Sequence, residues 1–129
     1  MSTDTTASVS THILDTSIGR PAEGVAITLA ARKGLDGEWV ALGGSATDAD
    51  GRCKDLPALP EETTHVRLDF EVEEYFSKKQ AEAQQDAPRV RDSGAFFPEV
   101  AITFAVKPGE HYHVPLLLNP FGYSVYRGS

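Results

Sequence analysis

The run His111-Tyr112-His113-Val114-Pro115-Leu116-Leu117-Leu118 constrains this chain more than any other stretch, because it is dense in apolar and β-forming residues. Period-two geometry sends Tyr112, Val114, Leu116 and Leu118 to one face and His111, His113, Pro115 and Leu117 to the other. The first set is the better core face, so both histidines are expected to point away from the core. Asn119-Pro120 then turns the chain into a last strand over residues 121–127. No polar tail separates that strand from Tyr126-Arg127-Gly128-Ser129. Chain ends ordinarily fray, so the terminal tetrapeptide is expected to be held against something.

Similar short runs recur along the sequence. Residues 9–15 alternate, with Val9, Thr11 and Ile13 on one face and Ser10, His12 and Leu14 on the other. Further strands are expected at 25–29, with Val25, Ile27 and Leu29 inward, at 39–47, briefly at Arg52, and at 66–70 and 98–106. The segments Thr16-Ser17-Ile18-Gly19-Arg20-Pro21, Lys33-Gly34-Leu35-Asp36-Gly37-Glu38 and Lys107-Pro108-Gly109-Glu110 read as turns. In Asp48-Ala49-Asp50-Gly51 the glycine sits where a turn needs positive φ. Residues 72–85 are rich in Glu, Lys, Gln and Ala and predict one short exposed helix, followed by a loop over 86–94. Eight short strands with one helix predict an all-β fold, an eight-stranded antiparallel β-sandwich, as one domain over 9–129 after a disordered lead-in at 1–8.

Charge and cysteine content narrow the function. Nineteen acidic against 12 basic residues leave a net charge of −7, which argues against nucleic acid as a partner, since phosphate neutralisation dominates that affinity. No run reaches the length of a membrane span, and residues 1–9 have neither a basic n-region nor an apolar h-region, so neither membrane nor secretory leader is expected. The one cysteine, Cys53, excludes an internal disulfide and suits a reducing compartment. Beside Arg52 it could serve as a nucleophile, but a small, partly buried thiol is the expectation. His111-x-His113 has metal-like spacing, yet no Cys or carboxylate in that run completes a ligand set, so no metal or other cofactor is expected. His12 with Leu14, His113 with Pro115 and Leu117, and Ser124 with Tyr126 give three strands a mixed polar and apolar outer face. A second subunit covering such a face is the economical expectation.

Ser10-Thr11-His12-Ile13-Leu14-Asp15, Gly19-Arg20-Pro21-Ala22 and Gly24-Val25 resemble the opening of the transthyretin-like family. Asp50-Gly51-Arg52, Phe97-Pro98-Glu99-Val100, the run from His111 and the terminal Tyr126-Arg127-Gly128-Ser129 resemble its enzymatic branch, the 5-hydroxyisourate hydrolases of urate breakdown. The likeness covers residues 9–129. It implies a transthyretin-like sandwich, a homotetramer (a dimer of dimers) with a central channel, and catalytic residues His12, Arg52 and His113. Substrate contacts are expected from His12, Arg52, Leu117, Tyr126, Arg127 and Ser129. Hormone-carrying transthyretins resemble the same fold but carry lysine in place of His12 and lack the tetrapeptide. Two departures stand out: residues 77–95 form a longer segment than the family usually has, and Val125 replaces a common threonine.

The implied reaction opens a ring amide of a urate-like bicycle, giving 2-oxo-4-hydroxy-4-carboxy-5-ureidoimidazoline. It needs an activated water and a partner for the anion formed at the carbonyl. Neutral imidazole suits the first role near neutral pH, with His12 and His113 as the pair and either one as the base. Arg52 offers a permanently charged fork to planar carbonyl and enolate edges. Tyr126 could donate to a ring carbonyl or cover its face, and Ser129 brings a hydroxyl and the terminal carboxylate. A carrier of small aromatic ligands in the same channel is the alternative, and a ligand-free structural sandwich a third. The cytoplasm is the expected location, because no peroxisomal signal ends the chain.

Overall fold

The protein is described by a computed structural model covering residues 6–83 and 95–128, with the side chains of residues 79–83 outside the description. Among the described residues the elements run β1 (Ser8–Asp15), β2 (Arg20–Pro21), β3 (Ala26–Arg32), β4 (Val40–Ala46), β5 (Arg52–Cys53), β6 (His65–Glu71), α1 (Val72–Ala83), β7 (Glu99–Ala105), β8 (His111–Asn119) and β9 (Gly122–Val125). The first sheet has the order β2-β1-β8-β9, with β5 also paired to β1; the second has the order β4-β3-β6-β7.

Alternation along the strands builds the core between these sheets. From the first sheet Ile13, Leu116 and Leu118 point inward; from the second, Ile27, Leu29, Val66, Leu68, Phe70 and Val100 do so, all at most 1% exposed. The expected inner faces of residues 9–15, 25–29 and 111–118 are therefore the observed ones. Helix α1 starts without a linker after β6, and the Val72 and Glu73 amides both donate to the Pro98 carbonyl ahead of β7. Its buried Tyr75 donates to Asp15 Oδ2 at 2.7 Å. Asp15 is 1% exposed and also accepts from the Ser17 amide and hydroxyl. A buried carboxyl needs such partners, and here they tie the helix to the end of β1.

Three expectations change. Arg20-Pro21 does more than turn: Gly19, at φ 66°, folds the chain back so that β2 pairs with Leu14 and Asp15. The sandwich is not wholly antiparallel, because β1 and β8 run parallel from Ser8↔His111 to Asp15↔Leu118. Such a pair cannot be closed by a hairpin; here nearly the whole chain forms the connection. Of the expected lead-in, residues 1–5 lie outside the described residues, while Ala7 is buried and Ser8 opens β1. The expected loop over 86–94 also lies outside them, as do residues 84 and 85 of the expected helix and most of the lengthened 77–95 segment.

Leu116→Ala is expected to cost about 2–5 kcal/mol through lost burial and an unfilled cavity. Tyr75→Phe should cost about 1–3 kcal/mol by removing a donor from a buried acceptor. Urea unfolding at fixed protein concentration checks both, and an unchanged midpoint for either would contradict the packing described.

Candidate active site

The outer face of the first sheet is assembled by register. In the parallel pair, Ser8 lies opposite His111, Ser10 opposite His113, His12 opposite Pro115 and Leu14 opposite Leu117. Strand β5 sets Arg52 opposite His12, so both side chains share a face, as cross-strand partners do. Gly51 makes this possible. At φ 75° it closes the turn from Asp48, and a Cβ there would meet the Ile13 carbonyl oxygen, which accepts from Ala22. Asp48 Oδ1 accepts from the Arg52 amide at 3.0 Å and from the Asp50 amide at 2.9 Å. Those backbone donors, the Arg52 amide foremost, hold the Asp48 carboxyl below its ordinary range.

The terminal segment continues the antiparallel register of β9 along β8. After Leu116↔Val125 the Tyr126 amide donates to the Pro115 carbonyl, and the Gly128 amide donates to the His113 carbonyl at 2.7 Å. Gly128 lies against the imidazole: a Cβ there would sit 2.9 Å from His113 Cδ2 and 3.3 Å from Pro115 Cγ. Only glycine lets the chain approach the ring so closely. Val125, opposite Leu116, packs on the core instead.

Around the histidines the contacts form a chain. Ser10 Oγ is 2.9 Å from His113 Nδ1 and 3.0 Å from His111 Nε2, and Ser8 Oγ is 2.6 Å from His111 Nδ1. A cleft of about 460 Å³ opens over them, lined by Ser10, Thr11, Arg52, Lys54, His111 and His113. Among the described residues that line it none is a carboxylate, while Arg52 and Lys54 are cations, in a protein of net charge −7. Burial, and then the positive charges of His12, Arg52 and His111, hold the His113 imidazole below its ordinary 6.5. A neutral imidazole with one nitrogen anchored and surrounded by cations can accept a proton; a guanidinium on the same face can hold an anion.

The structure thus gathers His12, Arg52 and His113, with Leu117 half-buried farther along the same face. Tyr126, more than half exposed, takes the register position beside Pro115. Arg127 is not brought in. Odd and even positions alternate along the terminal segment, and Arg127 falls on the inner side of β8. There its guanidinium lies 4.5 Å from the Tyr112 ring centroid and 3.3 Å from Glu110 Oε1. Ser129 lies outside the described residues. Cys53 is buried, and burial pushes its thiol up, away from a nucleophilic thiolate. Ser10 and Lys54, to which sequence reading gave no role, join the site, as does His111, weighed there only as a metal ligand. Only the parallel pairing of strands a hundred residues apart brings Ser8 and Ser10 alongside the histidines.

Comparison with known proteins finds relatives of the chain and of its fold. The model described as the HIUase/Transthyretin family matches residues 9–128. A 5-hydroxyisourate hydrolase of Salmonella dublin is 41% identical over 94% of this chain and 80% of its own length. The solved 5-hydroxyisourate hydrolase of Klebsiella pneumoniae superposes with a TM-score of 0.69 at 33% identity, over 95% of this chain and 99% of the other. Sea bream transthyretin in complex with thyroxine gives 0.70 at 26% identity, over 93% of each chain.

Because the His113 imidazole is held low, it should stay neutral further into acid than free histidine. An NMR titration of its ring protons should give a midpoint below 6.5. Arg52→Gln removes one of the nearby cations and should move that midpoint upward, whereas an unmoved midpoint would separate Arg52 from the site. Folding favours the neutral ring, so this histidine subtracts stability as pH falls through its unfolded value.

Proposed function

The chain belongs to the HIUase/Transthyretin family, and from that premise we propose that it hydrolyses 5-hydroxyisourate in urate breakdown, with His113 as general base. The carrying observation is the half-buried His113, anchored at Nδ1 by Ser10, held neutral, and sharing an outer face with His12 and Arg52. Among the described residues no hydrogen bond engages its Nε2, which leaves that lone pair for a water. His113 Nε2 takes a proton from the water as the oxygen adds to the ring carbonyl carbon. The carbonyl π electrons move to oxygen, where Arg52 meets the new negative charge. Collapse of the adduct re-forms the carbonyl and expels the ring nitrogen, which receives the proton from His113. His12, opposite Arg52 on β1, positions the water and the bicycle's polar edge. Tyr126, at the register position beside Pro115, is assigned to the substrate; Arg127 acts from behind, fastening the terminal segment to Glu110 and Tyr112.

The working unit in this reading is a homotetramer. Phe96, Phe97 and Tyr123 form edge-to-face pairs with centroids 4.9 and 5.5 Å apart, and Phe121 is 78% exposed nearby in sequence. Exposed aromatics at the ends of β7 and β9, the edges of their sheets, suit burial by another copy. The outer face carrying His12, Leu14, Leu117 and Ser124 would then be walled into a channel. No helix among the described residues is long and apolar enough to cross a membrane. The free, buried Cys53 accords with the cytoplasm.

Ultraviolet decay of freshly made 5-hydroxyisourate should accelerate with the protein, and His113→Asn should remove about 10²–10⁴-fold of that rate. Failure of the wild type to outpace spontaneous decay would favour a carrier of aromatic ligands. Sedimentation should give the mass of four chains, and Phe97→Ser with Tyr123→Ser should lower it. A monomeric wild type at micromolar concentration would overturn the channel.

A further inference from the structure

We propose that Ser10 and His111 are positioning residues that hold His113 in the Nδ1–H tautomer, so that its Nε2 can act as the base; this rests on the hydrolase reading above. An imidazole accepts a proton only at its unprotonated nitrogen, and the hydrogen bond at the other nitrogen decides which one that is. With Ser10 Oγ 2.9 Å from His113 Nδ1, a base at Nε2 requires His113 to donate at Nδ1 and Ser10 to accept. The single Ser10 proton must then go elsewhere, and His111 Nε2 at 3.0 Å is its acceptor. That leaves the proton of neutral His111 on Nδ1, directed to Ser8 Oγ at 2.6 Å. Every donor in the chain is used once and all point the same way, from His113 towards Ser8. The Nδ1–H form is the less favoured tautomer of a free histidine side chain, so holding it needs such a fixed acceptor chain.

The register makes this chain possible. Ser8 pairs with His111 and Ser10 with His113 in the parallel β1–β8 ladder, which puts all four side chains on one outer face. In many enzymes a carboxylate orients the catalytic histidine; here the group in contact with His113 Nδ1 is the Ser10 hydroxyl, and a second imidazole takes the acceptor role through it. A second imidazole brings a pH dependence that a carboxylate would not. Protonated His111 carries a hydrogen on Nε2 and can only donate to Ser10. Ser10 then has lost its acceptor in the chain and is free to donate to His113 Nδ1, so the bias of His113 towards Nδ1–H is lost. The groups facing His111 are Ser8 and Ser10 from β1, Arg52 and Lys54 from β5 and the residues after it, and His113 from its own strand.

Two readouts test this on the full-length protein. In the first, 15N-labelled histidine should show His113 as Nδ1–H in the wild type at pH 8. Ser10→Ala and His111→Phe should shift it towards Nε2–H, while His111→Gln, whose amide oxygen can accept from Ser10, should retain it. In the second, steady-state hydrolysis of 5-hydroxyisourate, Ser10→Ala and His111→Phe should lower kcat by about 10- to 100-fold, as for residues that orient a catalytic ligand. KM should stay near its wild-type value. His111→Gln should restore most of kcat. A His111→Phe protein with wild-type kcat, or one slowed without any change of the His113 tautomer, would overturn the proposal. A wild type that does not accelerate hydrolysis would sink the hydrolase reading, and the tautomer measurement would still decide whether Ser10 and His111 set the ring.

Discussion

The parallel ladder between β1 and β8 is the contact on which the rest of the molecule depends. It joins strands from opposite ends of the chain, from Ser8↔His111 to Asp15↔Leu118, in the middle of the first sheet. Closing so large a loop is entropically costly, and burial of Ile13, Leu116 and Leu118 against the second sheet offsets it. The same pairing decides function. Side chains alternate across a strand, so burying Thr11, Ile13, Val114 and Leu116 sends Ser10, His12, His113 and Leu117 outward in one row. A slip of one residue would move every histidine in that row into the core.

Small residues then allow the short elements to complete the site. Gly51 tolerates the crowded turn that delivers Arg52 opposite His12, and Gly128 lets the terminal segment lie against the His113 ring. Both are close approaches of backbone to a neighbour, where any Cβ would collide. Arg127 serves differently from its neighbours: with Glu110 and Tyr112 it clamps the terminal segment from the inner side of β8. The Tyr112 hydroxyl meets the same Glu110 carboxyl at 3.0 Å, and those bonds, with the charge of Arg127, hold that carboxyl below its usual range.

Electrostatically the site runs against the chain as a whole. The protein carries seven excess negative charges, yet Arg52, Lys54 and three histidines crowd one outer face. Burial, and then each neighbouring cation, disfavours a positive charge on His113 and holds its imidazole below the ordinary value. The arrangement combines a proton acceptor with a place for a developing anion. Both needs of amide hydrolysis are met by residues from β1, β5 and β8.

Much was legible from residue order. Period-two alternation identified the inner faces of β1, β3 and β8 and the outward histidines, because the pleat of a strand imposes that periodicity on any half-buried segment, and turn chemistry identified the glycine before Arg52. Ordered short motifs along nearly the whole chain pointed to the family, and with it to His12, Arg52 and His113. What the sequence could not disclose was register between distant strands. Nothing in residues 8–12 announces that they lie parallel to residues 111–115, so the Ser8–His111–Ser10–His113 chain appeared only once the sheet was assembled. The inward turn of Arg127 was hidden for the same reason: its side depends on the terminal segment continuing the β9 pairing, set by tertiary hydrogen bonds to Pro115 and His113. Local periodicity determined which faces exist; long-range pairing decided which side chains meet on them.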